Sequence, residues 1–420
     1  MTRVKEKNRR VLIINEHSLN HNNATAITMR SLWADWSKDS IFELCYVEYT
    51  TNVFSLSHSI LLNRGVLNKV KNSKAGNTIN SSIKNNSTQN ITIQGKLLKS
   101  LRDTVIAYEL TKSGHVDKTI LSQIDVFRPE VIYTLGGSSG VLKCAFKLSI
   151  RYNIPIVLHF MDNWIEHMQN ENNMLFKPFR KSLNFWLNKC IERGKLAITI
   201  SDSMADAYSE IYPQIEFVPL MNAVDVDSLL CKPKNAYKAP FVFTYAGGLH
   251  LDRWKSLLEV GKAIKENDID AVLRVYTSSD LQPIENCFIG LPVEFFPAVD
   301  HDCIRELFYE SDCLVHTEST NQDYLMYNKY SISTKIPEYL ASGRLMLFYG
   351  PRSLGLYKYL DHNNVAALAD NYVDLKSLIN NIYLHKDSYD NIISNAINLA
   401  REKHNTIISR ITLQDIIDQA

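Results

Sequence analysis

No run of apolar residues in the sequence approaches the ~20 needed to span a bilayer, so contact with a membrane is expected to be peripheral at most. Neither sign of charge is in excess. Lys and Arg number 46 against 45 Asp and Glu, so no overall field draws the chain to nucleic acid, and any anion site must be local. The seven cysteines (Cys45, Cys144, Cys190, Cys231, Cys287, Cys303 and Cys313) are odd in number and scattered. They form no Cys-x-x-Cys pair and have no His-x-x-x-His nearby, which argues against a disulfide framework or a zinc site and fits a reducing compartment. No G-x-G-x-x-G follows the first β-branched run, which disfavours a dinucleotide-dependent oxidoreductase. The start of the chain is basic, but the apolar stretch Val11 to Ile14 stops at Asn15 and Glu16, too short for the core of a secretory signal. The expected location is the cytoplasm, with peripheral attachment to its membrane allowed.

A chain of 420 residues, 45% hydrophobic and 22% charged, can bury more than one core, so two domains are expected. Short β-branched runs alternate with longer helical patterns, the mark of βαβ units around a parallel sheet. The strand candidates are Val11–Asn15, Ile41–Val47, Val131–Thr134, Ile156–Phe160 and Leu196–Ile200, then Phe241–Tyr245, Ala271–Tyr276, Val293–Phe295, Cys313–His316 and Leu345–Tyr349. The polar stretch from Asn222 to Pro240, with Lys232-Pro233-Lys234, reads as the connection between two doubly wound α/β sheets. The domains are accordingly placed at 1–222 and 223–395, with a C-terminal helix within 396–420 packing back on the first. Residues 69–96, dense in Asn, Ser, Lys and Thr, read as a polar insertion. The Asn-x-Ser/Thr triplets in it have meaning only in a secreted protein.

The block most suggestive of chemistry is Ser331-Ile332-Ser333-Thr334-Lys335-Ile336-Pro337-Glu338-Tyr339-Leu340-Ala341-Ser342-Gly343. A helix that opens on Ser333 and Thr334, with Pro337 in its first turn, leaves free N–H groups that attract phosphate, and Lys335 adds a full charge there. Glu338 is a poor phosphate ligand but an apt acceptor for the two hydroxyls of a ribose. A Ser/Thr-to-Glu cap with no ligand is the alternative. Asp225-Val226-Asp227 has the spacing of a metal-binding pair but sits in the connection and not at a strand end, so no metal and no cofactor are expected.

The block, followed by an apolar run and Tyr349-Gly350-Pro351, resembles the donor-site segment of the family 4 retaining glycosyltransferases, whose two Rossmann-like domains facing across a cleft are called the GT-B fold. Tyr245-Ala246-Gly247-Gly248-Leu249 and Arg253-Trp254-Lys255 resemble that family's strand, glycine turn and basic helix start. The resemblance implies that Gly247, Gly248, Ser333, Thr334 and Glu338 hold the donor, while Arg253 and Lys335 stabilise the diphosphate as it departs. It also implies that His159 or Asp162, in His159-Phe160-Met161-Asp162, contacts the donor sugar. It sets Asn22 and Thr25 in a loop near diphosphate or acceptor, and Asn222 at the domain junction near the cleft, among the donor-binding residues. The reaction implied is retaining transfer from a nucleotide diphosphate sugar to a glycan or lipid-linked acceptor, in capsule or O-antigen synthesis, with other polysaccharide enzymes as possible partners.

One departure matters. Many members carry a Glu eight positions before the ribose-binding Glu, but here that position is Tyr330, and Glu318 lies further upstream before an expanded Ser319–Tyr330 loop. Glu318 either reaches the donor sugar by another path or is a surface carboxylate. Alternatives on the same plan are a nucleotide-sugar epimerase and a catalytically silent nucleotide-sugar-binding subunit.

Overall fold

The computed structural model of the chain describes residues 8–21, 23–47, 53–62, 115–165, 177–233, 239–300 and 303–420. The expected insertion at 69–96 and the candidate Asn22 lie outside them. Two compact units divide the chain, one of Met1–Leu220 with Arg410–Ala420 and the other of Met221–Ser409.

The first unit runs β1 (Val11–His17), α1 (Ala24–Leu32), β2 (Ile41–Val47), β3 (His58–Leu61), α2 (Lys118–Phe127), β4 (Val131–Thr134), α3 (Ser139–Tyr152), β5 (Ile156–Phe160), α4 (Lys177–Ile191), β6 (Leu196–Thr199), α5 (Asp202–Ile211) and β7 (Glu216–Pro219). All pairings are parallel, in the order β3, β2, β1, β4, β5, β6, β7. Val11, Leu12, Ile13 and Ile14 are wholly buried, as expected of a central strand covered on both faces. The chain leaves β1 toward β2 and β3, then returns to β4 on the other side of β1, with Val11 opposite both Ile41 and Val131. Strand order therefore reverses between β1 and β4, and the loops that follow them part to leave a crevice at the carboxyl edge of the sheet. Asn23, Ser138 and Ser201 cap α1, α3 and α5 by accepting the backbone N–H three residues on. Trp33 packs edge-on against Tyr133 at 5.1 Å in the core.

The second unit runs α6 (Val226–Leu229), β8 (Phe241–Ala246), α7 (Arg253–Glu266), β9 (Ala271–Thr277), β10 (Val293–Pro297), α8 (Ile304–Glu310), β11 (Cys313–Thr317), α9 (Gln322–Asn328), α10 (Lys335–Ala341), β12 (Leu345–Tyr349), α11 (Gly355–Asn363), β13 (Ala367–Ala369), α12 (Tyr372–Leu384) and α13 (Asp390–Lys403). Its sheet is also parallel, ordered β10, β9, β8, β11, β12, β13, so the reversal falls between β8 and β11.

The last helix, α14 (Thr406–Gln419), buries Leu413, Ile416 and Ile417 in the core of the first unit, and Arg410 bonds Ser31 and Asp35 there. The returning segment is shorter than the 396–420 expected from the sequence. Ala396, Leu399 and Ala400 of α13 are buried in the second unit's core, so only 410–420 belong to the first.

Candidate active site

In the second unit, the strand-order reversal brings together the loop after β8 and the loop after β11. Gly247 and Gly248 follow β8, and two left-handed residues, Leu251 (φ 58°) and Asp252 (φ 59°), turn the chain into α7 at Arg253. Left-handed backbone costs a non-glycine residue about 1–2 kcal/mol, and here it sits beside the side chain that the turn delivers. Arg253 is buried and grips Glu318, the first residue after β11, with Nη2 2.9 Å from Oε1 and Nε 3.2 Å from Oε2. Glu318 also accepts from His316 Nε2 at 3.0 Å and from Asn328 Nδ2 at 3.0 Å. His316 and Glu318 are two apart, so they leave β11 on one side.

The expanded loop has a structural explanation. It folds as α9, whose last residue, Asn328, closes the ring of donors around the carboxylate. Glu318 is thus neither a surface group nor a free carboxylate, because its oxygens are taken by neighbouring side chains. Burial works against its charge, but the His316 hydrogen bond and the Arg253 charge outweigh it and hold the carboxyl down at about 2. Burial keeps His316 neutral, with its pKa down at about 4 although Glu318 opposes the shift. Facing an ionised carboxylate, its Nε2 carries the proton.

Lys335 opens α10. Its Nζ lies 3.2 Å from Tyr245 Oη and 4.5 Å above that ring, and its tail crosses Gly247. A side chain at 247 would displace the Lys335 ammonium, and one at 248 would displace the His250 ring. Burial first, and then the charge of Arg253, lower the Lys335 pKa to about 8, with Glu318 and Glu338 pulling the other way. His250 accepts from Arg253 Nη1 at 3.2 Å.

Thr334 is exposed and Ser333 half-buried at the start of α10, and Thr334 makes no capping hydrogen bond. Glu338 is half-buried one turn in. Asn222 is buried and donates to the Ile332 carbonyl at 3.1 Å, which pins the loop that leads to Ser333. Asp225 caps α6 and Asp227 pairs with Arg401, structural duties for both acids of the Asp-x-Asp triplet.

In the first unit, the reversal point holds a pocket of about 210 Å³. Its walls come from Asn15 to Leu19, from Thr25, Ala26 and Met29 of α1, from Leu135 to Gly137, and from Met161, Asp162 and Trp164. Gly136 and Gly137, at φ 67° and 79°, make the turn after β4, and Asn15 ties that loop to β1 through the Leu135 N–H at 2.8 Å. Asp162 lines the pocket with no hydrogen bond among the described residues, and burial raises its pKa. His159 does not line it. It lies inside β5, 1% exposed, its Nδ1 against Tyr133 Oη, and burial alone lowers its pKa to about 3. The contact with donor sugar expected of His159 therefore has no exposed ring to make it, because strand alternation turns the side chain into the core.

No protein-family model matches the sequence, and no curated protein matches it. Solved structures do match. Anabaena HepE in complex with UDP superposes with a TM-score of 0.66 at 12% identity, over 98% of this chain and 100% of that one. Sucrose-phosphate synthase from Thermosynechococcus elongatus gives 0.64 at 12% identity, over 98% and 99%. A glycosyltransferase from Rickettsia africae gives 0.59 at 12% identity, over 98% and 98%. The fold is GT-B. Within this GT-B chain, both sheets present their candidate residues at the point where strand order reverses, the place at which open parallel sheets take ligands. Sequence reasoning missed His316, Asn328, Tyr245 and His250. The His-x-Glu spacing at a strand end was a usable signal for the first, whereas Asn328 is joined to Glu318 only by the fold of the intervening loop.

Proposed function

We propose that the chain is a glycosyltransferase that takes its sugar from a nucleoside diphosphate sugar bound in the second unit. The observation that carries this is Lys335. A half-buried ammonium held above a glycine turn, with Arg253 nearby, gains most when an anion arrives, because the anion removes both the desolvation cost and the like-charge repulsion. The hydroxyls of Ser333 and Thr334 at the start of α10, beside Lys335, suit phosphate oxygens, and Glu338 suits a ribose. The likeness to HepE, whose structures hold UDP or UDP-glucose, agrees.

Chemistry follows from charge. As the glycosidic C–O bond breaks, negative charge gathers on the departing diphosphate, and a preorganised Lys335 stabilises it with no reorganisation, aided by the field of Arg253. Glu318 serves by holding Arg253. The first unit's pocket, with Asp162 and Thr25, suits hydroxyl-bearing acceptors, glycan or lipid-linked. Retention of configuration and a place in surface polysaccharide synthesis are the expectations that the sequence resemblance supports.

The second reading, a nucleotide-sugar-binding subunit without catalysis, is favoured by one observation: Glu318 has its oxygens engaged by the protein. Incubation with UDP-, GDP-, CDP- and TDP-sugars and a panel of glycan acceptors separates the two. Transfer of the sugar with release of nucleoside diphosphate is expected, and NMR of the product gives the stereochemistry. Binding of a nucleotide sugar without transfer or hydrolysis would favour the subunit, and a product epimerised on the nucleotide would favour an epimerase.

A further inference from the structure

The first unit carries a surface that the transfer reaction does not use. Helices α3 and α4 pack against each other and hold three and four basic residues respectively, with no acidic one in either. In a chain whose opposite charges balance, this is a local segregation. Arg151 pairs with Asp125 and Lys189 with Glu192, toward the C-terminal ends of the two helices. Lys143, Lys147 and Lys181 have no acidic partner among the described residues.

Apolar groups lie among these lysines. Phe146 of α3 meets Trp186 of α4 at 5.9 Å, and Phe185 stacks edge-on against Trp186 at 5.0 Å, a cluster of three aromatic rings bridging the two helices. Phe185 is 54% exposed and Ile150 55% exposed. On α3, helical spacing sets Lys143, Phe146, Lys147 and Ile150 along one stripe. On α4, Lys181 and Lys189 stand one turn either side of Phe185.

An exposed apolar cluster by itself fits any hydrophobic partner. The charge around it selects one. A rim whose charges without an acidic partner are lysines, their aliphatic stems flanking aromatic rings, matches a layer of anionic headgroups above an acyl boundary, where Trp and Phe settle and Lys reaches the phosphates. We propose that the α3–α4 face docks on an anionic lipid surface. Among the described residues no helix is long and apolar enough to cross a membrane, so the contact is one of the surface. The proposal is independent of the transfer reaction.

The test is sedimentation of the full chain with sucrose-loaded vesicles, of phosphatidylcholine alone or mixed with phosphatidylglycerol. Binding is expected only to the mixed vesicles, and raised salt should weaken it. A Lys143→Glu/Lys147→Glu variant should bind about tenfold more weakly or worse, and Phe185→Ser should also lose binding while its thermal unfolding stays near that of wild type. Three results would overturn the proposal: no phosphatidylglycerol-dependent binding, equal binding by both variants, or self-association through Phe185 in place of vesicle binding.

Discussion

Arg253 and Glu318 form a buried two-pronged ion pair, Nη2 to Oε1 at 2.9 Å and Nε to Oε2 at 3.2 Å, across the point where β8 and β11 part. A buried pair is costly to split, since the remaining partner keeps its charge without compensation. Glu318→Ala is therefore expected to destabilise the second unit by about 3–5 kcal/mol, and Arg253→Leu added to it should recover part of the loss. Urea denaturation of the single and double variants checks both.

The same pair sets the response to acid. Glu318 ionises in the fold at about 2 against 4.5 when free, so its charge stabilises the fold above 4.5, and that gain is lost as pH falls toward 2. His316 is held near 4 against 6.5 when free. The unfolded chain takes up its proton first, so stability also drops as pH falls from 6.5 to 4. Both act in one direction. Denaturation midpoints measured from pH 7 to pH 4 should decline more steeply in wild type than in His316→Phe.

Lys335 acts in the same direction in a higher pH window. Its folded pKa of about 8 lies below the free value of 10.5, so the charged form penalises the fold below pH 8 and the penalty fades between 8 and 10.5. Lys335→Met should raise stability at pH 7. Diphosphate affinity in wild type should be flat below pH 8 and fall above it, and calorimetric titrations with UDP across this range would show whether it does.

Gly247 makes room for Lys335, which would meet an added β-carbon at 1.9 Å. The atom met is the far end of a flexible side chain, so Gly247→Ala should fold and yet push the ammonium aside. A loss of about tenfold in diphosphate affinity, on the scale of one charged hydrogen bond, is expected, with some fall in Tm as well because residue 247 holds φ 153°, a conformation that side chains rarely adopt.

Much of the fold was legible because parallel strands buried on both faces are written as continuous β-branched runs, as in Val11 to Ile14. The ten runs read from the sequence all appear as strands. Among the described residues, three strands were missed for local reasons. The edge strand β3 is partly exposed, β7 ends in Pro219, and β13 has three residues. At the site, Gly247, Arg253 and Lys335 stood out because phosphate chemistry asks for those residue types near strand and helix ends. The partners of Glu318 could not be seen, since Asn328 arrives through a loop whose fold the sequence did not reveal. His159 was read within the strand Ile156–Phe160, as found, but strand membership did not reveal that its ring is buried against Tyr133.

The central claim, that Lys335 and Glu338 hold a nucleoside diphosphate in the second unit, is tested most directly by thermal unfolding of wild type, Lys335→Met and Glu338→Ala with UDP, GDP, CDP and TDP. Ligand at a hundred times its dissociation constant stabilises by ~2.7 kcal/mol, so one nucleotide should raise the wild-type Tm by several degrees, at ~2–4 °C per kcal/mol for a unit of this size. The account predicts that this rise is lost in both variants. A rise with none of the four nucleotides, or one that survives unchanged in both variants, would contradict it.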